Sequence, residues 1–199
     1  MAEARQLAAV ILAAGAGRRL GGVAKALIED AGRTLLAAIV ERACAAGTVH
    51  LEVVVGPPFG DAVAAHARAV GAGVAINTDP TRGMASSVAV GFQALIERAP
   101  SACIAAWLWP VDHAWVAPGT LAALVEAQQA SAIVRPVHRG RGGHPPLVGR
   151  AHWSALASCA DHRDGARGVL HELGMVDVAV EDPGCLRDLD TPRDREVQP

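Results

Sequence analysis

The sequence predicts an α/β fold, a mostly parallel sheet covered by helices in a single domain, and three observations predict it. A chain of 199 residues at 51% hydrophobic has the size and apolar content of one compact domain with a large core. Apolar runs of strand length alternate with segments of helical period for most of that length. The first of those runs ends in a loop rich in glycine and cations, the place where an open parallel sheet binds its ligand.

The first predicted strand spans 8–13 and carries Val10, Ile11 and Leu12 into Gly15, Gly17, Arg18, Arg19, Gly21, Gly22 and Lys25. Glycine lets backbone approach a ligand closely, and the interleaved cations neutralise oxygens that backbone N–H groups cannot reach, a combination suited to a phosphate chain. Spacing separates three kinds of phosphate loop. Lys25 lies between Ala24 and Ala26, so the Gly-Lys-Ser/Thr ending of a Walker A loop is absent. In the dinucleotide-binding turn the glycines read GxGxxG, and an acid at the end of the second strand holds a ribose. Here the third glycine comes one residue late, and the strand 51–55 runs from Val55 into Gly56, Pro57 and Pro58. The third kind is the LAAGxGxRMGxxK loop of nucleotidyltransferases, which Leu12 to Gly21 with Lys25 resembles, with Leu20 where Met is usual.

Leu35, Leu36, Ile39, Val40 and Ala43 form a helical stripe behind a Thr34 cap, followed by strands at 51–55 and 73–77. The turn Asn77 to Ser87 then leads to a helix carrying Val88, Phe92, Leu95 and Ile96, with Ser86 or Ser87 as its cap or as hydroxyls facing a nucleotide. A strand at 103–109 ends in Pro110-Val111-Asp112-His113, and Pro118 opens a helix with Leu121, Leu124 and Val125. A strand follows at 131–135. Residues 135–146 hold so much glycine, proline and arginine that they read as an irregular or hairpin binding element. Arg163 to Gly168 precede a short helix over Val169 to Leu173, and Val176 to Val180 make the last strand. No internal repeat and no linker interrupts the chain.

The formal net charge of −2, from 18 basic and 20 acidic residues, gives no support to a nucleic-acid-binding surface. Cys44, Cys103, Cys159 and Cys185 show no metal-ligand spacing and read as free thiols, three of them in apolar context. No stretch is long enough to span a membrane. Arg5 followed by LAAVILAAGA has the outline of a short signal peptide, but cleavage would remove the first core strand and half of the phosphate loop. A cytoplasmic protein is therefore expected.

Asp112 follows a hydrophobic strand opposite the phosphate loop, where a carboxylate suits Mg²⁺ held jointly with substrate phosphates. Asp188 and Asp190 offer a second acid, on one face if extended, or a cap for a last helix beginning at Pro192. Taken in order, Leu12–Gly21, Gly83–Ser87, Asp112, Arg141–Pro145, Asp164–Arg167 and Asp188–Asp194 resemble the LAAGxGxRMG, GMSSS, strand-end acid, RGHP, GDxGAR and DIDTPED motifs of the molybdenum-cofactor nucleotidyltransferases. The nearest branch is the cytidylyltransferases. Departures occur at Asp112-His113-Ala114, where the family has DQP, and at Arg141-Gly142-Gly143-His144-Pro145, which carries an extra glycine.

The resemblance implies a GT-A-like (Rossmann-like) sheet with helices on both faces. It also implies Mg²⁺, a nucleoside triphosphate, and transfer of NMP with loss of pyrophosphate. On that footing Ala13, Ala14, Gly15, Gly17, Arg18 and Arg19 form the phosphate loop, Lys25 stabilises charge at the α-phosphate, and Arg18, Lys25 and Asp112 are the catalytic set. Asp112, Asp190 and Asp188 are the metal ligands, Gly83, Met84, Ser86 and Ser87 face base and ribose, and His144 faces the acceptor. Ala14 favours CTP, because the cytidylyltransferase loop reads LAAG and its guanylyl counterpart LAGG. Residues 1–135 would bind the nucleotide, and 136–199 would complete the acceptor and metal sites. The acceptor is a small phosphorylated molecule such as molybdopterin, with a sugar phosphate as the alternative. An NADP-binding reductase using Gly15, Gly17 and Gly21, and a nucleotide sensor without turnover, are the readings from other classes.

Overall fold

A computed structural model describes residues 6–191. In chain order its elements are β1 (Gln6–Leu12), β2 (Glu29–Asp30), β3 (Arg33–Thr34), α1 (Leu35–Ala45), β4 (Thr48–Val55), α2 (Gly60–Ala69), β5 (Gly73–Ile76), α3 (Met84–Arg98), β6 (Cys103–Pro110), α4 (Pro118–Ala127), β7 (Ile133–His138), β8 (Arg141–Gly142), β9 (Leu147–Gly149), α5 (Trp153–Ala157), α6 (Gly165–Leu173) and β10 (Val176–Ala179). The main sheet runs β10-β7-β9-β6-β1-β4-β5, with β8 paired to β7. The pairs β1·β4, β1·β6, β4·β5 and β7·β10 are parallel. Strand β9 is antiparallel to both of its neighbours, β6 and β7.

Because side chains alternate along a strand, β1 sends Leu7, Ala9 and Ile11 into one core and Ala8, Val10 and Leu12 into the other. Helices α1, α2 and α4 cover the first face, and α3, α5 and α6 cover the second. This double burial is why β1 and β6 read as continuous apolar runs. Helix α3 lies directly on the central strands: a Cβ at Gly91 would fall 2.3 Å from Val10 Cγ1 and 2.9 Å from Val54 Cγ2. That close seat brings the α3 N-terminus to the carboxyl ends of β1, β5 and β6. Thr34 caps α1 by accepting from Ala37 N at 3.1 Å, and Pro118 opens α4, as expected.

Several expectations are corrected. The strand expected at 131–135 runs from 133 to 138 through Pro136, so part of the supposed irregular segment belongs to the sheet. Residues 147–149, given no strand, form a central one, and every residue in it is buried. Gly149 is required there, since a Cβ would fall 2.4 Å from Ala130 O. Helices α2 and α5 had not been expected. The buried stripe of α2 is Val63, Ala64 and Ala67, two of the three alanine, so it offers little apolar bulk to stand out in sequence. Helix α3 starts at Met84 with Gly83 at its N-cap, so Ser86 and Ser87 sit inside its first turn and do not cap it. The helix expected from Pro192, the motif end at Asp194 and the leader-like Arg5 lie outside the described residues. Cys103, Cys159 and Cys185 are buried, Cys44 is exposed, and all four are free. Among the described residues no helix is long and apolar enough to cross a membrane.

Candidate active site

The glycine loop leaves β1 and folds back on itself. Gly22 N donates to Gly17 O at 3.0 Å around the short turn Arg18–Leu20. Gly17 has φ 58°, and a Cβ there would fall 2.0 Å from Val23 O, so only glycine closes the loop this way. Beyond it, Lys25 opens a second short turn anchored by the buried Ala26.

Ala13, Ala14, Gly15, Lys25, Gly83, Met84, Ser87 and Asp112 all line one cavity of about 210 Å³. Lys25 Nζ donates to Asp112 Oδ2 at 2.9 Å and to Asp190 Oδ1 at 2.8 Å. Asp190 Oδ2 in turn accepts from Arg19 Nη1 at 2.6 Å. Burial alone would lower the Lys25 pKa, but the bonds to Asp190 and Asp112 outweigh it and the pKa is raised. The bond from Lys25 holds the Asp190 carboxyl below its usual pKa, with Arg19 adding to the effect. Leu189, 1% exposed, bonds through its N–H to Asp112 O at 3.1 Å, which carries Asp190 to the lysine.

Some expected residues do not join this group. Ser86 is buried, donates to Gly83 O at 2.8 Å and accepts from Asn77 Nδ2 at 2.9 Å, so its hydroxyl braces the helix start. Gly17 and Arg18 lie outside the cavity lining. Asp188 is exposed on the far side of Leu189, and the segment holding both acids is not a strand.

His144 lies instead in an adjoining cavity of about 530 Å³, lined also by Leu108, Arg135, Gly143, Arg167 and Met175. The two cavities share Leu12, Met84 and Pro110. The His144 ring stacks on His113 with centroids 4.4 Å apart. Burial drives the His144 pKa down to about 4 and lowers that of His113 as well. Both Nδ1 atoms are buried without a hydrogen-bond partner among the described residues. A larger cavity of about 760 Å³ lies between α1 and α4, and none of the expected site residues reaches it.

Two residues of this region were missed in sequence. Asn77, 4% exposed, donates to the hydroxyls of both Ser86 and Ser87 at 2.9 Å. It directly follows β5, and the rule that singled out strand ends applies to it equally. His113 had stood out only as a departure from a motif, and nothing local signals its stacking.

Residues 9–178 match the MobA-like NTP transferase domain. The chain belongs to that family. It is a nucleotidyltransferase-type enzyme with the mostly parallel, doubly covered sheet expected of one. Nicotine blue oxidoreductase of Paenarthrobacter nicotinovorans is 29% identical over 92% of this chain and 91% of its own length. Rv0371c of Mycobacterium tuberculosis H37Rv is 27% identical, with a TM-score of 0.76 over 96% of each chain. The structure of Rv0371c in complex with manganese gives 0.70 at 26% identity over the same shares. A nucleotidyl transferase from Methanothermobacter, at 22% identity, shares the fold with a TM-score of 0.75 over 94% of this chain and 93% of its own.

For a MobA-like NTP transferase the fit of a divalent cation is decided by Asp112 and Asp190. Both present an oxygen to the same ammonium, so a cation in its place would have two carboxylate ligands. Among the described residues no group of three His, Cys, Asp or Glu gathers around one point. Any further ligands would come from water and substrate phosphates, an arrangement that suits a hard divalent cation.

Proposed function

We propose that the protein is a cytoplasmic, Mg²⁺-dependent nucleotidyltransferase that transfers NMP, with CTP the favoured donor, to a small phosphorylated acceptor such as molybdopterin and releases pyrophosphate. The observation that carries this reading is the convergence of Asp112 and Asp190 on Lys25, at the edge of the cavity shared by the glycine loop and the first turn of α3. In this reading Gly15 contacts the phosphates within the cavity, Gly17, Arg18 and Arg19, which lie beyond its lining, hold the phosphates that extend out of it, and Gly83, Met84 and Ser87 face ribose and base. The acceptor enters from the cavity of His144, Arg135 and Arg167, whose cations suit an anionic group and whose apolar wall suits a ring. Its attacking oxygen bonds to the α-phosphorus while the bond to the pyrophosphate oxygen breaks. Lys25 faces the charge that develops at the α-phosphate, and Asp112 and Asp190 would hold Mg²⁺, which would supply neutralisation of phosphate charge. Residues 1–135 serve the nucleotide, and 136–199 supply the acceptor wall and Asp190.

One observation favours a second reading, an NADP-binding reductase: the likeness to nicotine blue oxidoreductase. Against it, Val55 leads into Gly56, Pro57 and Pro58, with no acid to hold a ribose.

Thermal shift with CTP, GTP, UTP and ATP, each with Mg²⁺, and with NADPH separates the two. A ligand at about a hundred times its dissociation constant adds about 2.7 kcal/mol, which raises the melting point of a chain this size by roughly 5 to 10 °C. The expected result is a shift with CTP that EDTA abolishes and none with NADPH. A shift with NADPH alone would replace the transferase reading by the reductase, and GTP ahead of CTP by tenfold would overturn the base preference.

A further inference from the structure

Lys25 makes its contacts to the very two carboxylates that fit a divalent cation, and these contacts are short and charge-assisted: Nζ to Asp112 Oδ2 at 2.9 Å and to Asp190 Oδ1 at 2.8 Å. Lys25 and Asp112 are largely screened from water, with side chains 16% and 23% exposed. Arg19 covers the other oxygen of Asp190. Among the described residues, these two carboxylates are balanced by one ammonium and one guanidinium. A bare divalent cation that entered this cluster would have to expel the ammonium into a cavity whose lining residues offer no anion besides Asp112. A cation that arrives with a triphosphate changes that balance, because the phosphates bring several negative charges and give the displaced ammonium a new partner.

The local architecture allows such an exchange by side-chain rotation alone. The backbone of Lys25 is pinned in its short turn by Leu27 N to Ala24 O at 2.9 Å and Ile28 N to Lys25 O at 3.1 Å, with Ala26 buried beneath. The side chain lines the same cavity as Gly15, Ser87 and Asp112, so a swing away from Asp190 leaves it inside the nucleotide site.

We infer that Lys25 is a resident cation that holds Asp112 and Asp190 against free divalent metal and releases them only when metal and triphosphate arrive together. The lysine then has two successive partners, the acid pair in the free protein and the substrate phosphates in the complex. Metal binding and nucleotide binding are coupled through it, and the protein takes up little metal by itself. This inference rests on the nucleotidyltransferase reading for the identity of the second ligand.

The test is a Mn²⁺ titration followed by electron paramagnetic resonance of the free ion. It uses wild type, Lys25→Met and Lys25→Met/Asp112→Asn, each with and without the non-hydrolysable α,β-methylene analogue of CTP. Wild type is expected to bind Mn²⁺ weakly alone and about tenfold or more tightly with the analogue, a coupling of ordinary size between linked sites. Lys25→Met should bind Mn²⁺ alone about tenfold more tightly than wild type, and removing Asp112 from that variant should abolish the gain. Lys25→Gln, with thermal melts of every protein, guards against a methionine variant that fails to fold. If both folded Lys25 variants bind Mn²⁺ alone no better than wild type while wild type with the analogue does bind, Lys25 is no gate and only this inference falls. If no protein binds Mn²⁺ under any condition, the metal-dependent transferase reading falls with it.

Discussion

Asn77→Ala isolates the device that sets the first turn of α3 against the glycine loop. The Asn77 amide is buried and makes three bonds: to Ser86 Oγ and Ser87 Oγ at 2.9 Å each, and from Asp79 N at 3.0 Å. Asp79 is exposed, so water can replace that third partner. The two bonds to buried hydroxyls cannot be replaced without a new cavity. At about 1 kcal/mol each, with a further contribution from whatever remains unpaired, their loss amounts to roughly 2 to 3 kcal/mol. For a domain of this size that lowers the melting point by roughly 5 to 10 °C. Because Ser87 lines the nucleotide cavity, affinity for CTP with Mg²⁺ should fall together with stability. Asn77→Asp separates the two effects. The Ser87 hydroxyl can rotate to donate to a carboxylate while the Ser86 proton stays on Gly83 O, so stability returns in part, whereas a negative charge beside the first turn of α3 repels the triphosphate. Differential scanning fluorimetry and isothermal titration with CTP read both quantities. An alanine variant that melts within a degree of wild type would refute the bracing role, and an aspartate variant that binds CTP as well as wild type would refute the placement of the phosphates.

Gly17→Ala places a methyl group on a left-handed residue and against Val23 O, so the loop must open; titration with CTP should show affinity reduced on the order of tenfold or more, with the core melting transition little changed. Asp112→Asn keeps the shape of the side chain but removes its charge, so pyrophosphate release should fall about a hundred- to a thousandfold while circular dichroism is unchanged. His144 predicts a pH effect on stability. Its folded pKa is about 4 against an ordinary 6.5, so between those values the unfolded chain binds more protons and stability falls as pH drops from 6.5 to 4. The full effect is of order 3 kcal/mol; urea unfolding at several pH values should show His144→Gln with a flatter slope across that window, and an unaltered slope would mean that the imidazole is not buried neutral.

The parts legible in the sequence are those set by local chemistry or by burial on both faces of the sheet. Strands β1 and β6 lie between two cores, so almost every residue in them is apolar and the run is continuous. Thr34 and Pro118 act within one helical turn of themselves. Strand β9 was hidden because three residues carry no periodicity, and its direction is set by pairing with β6 and β7. Pro136 likewise argues against a strand, yet its missing N–H matters little, while its carbonyl accepts from Gly143 N at 2.8 Å.

The candidate site divides along the same line. Gly15, Lys25 and Asp112 were marked by their position at strand ends, a local property. Their mutual geometry is not local: Lys25 is 87 residues from Asp112 and 165 from Asp190. What joins them is backbone. Leu189 drops its side chain into the core beside α1 and α4 and bonds to the carbonyl of Asp112, so Asp190 has no choice but to face the lysine. In sequence Asp188 stands behind Asp190 as a weaker candidate for the same role, because alternation alone puts both acids on one face. Which of the two acids meets Lys25 is therefore set by a buried leucine and its bond to the Asp112 carbonyl.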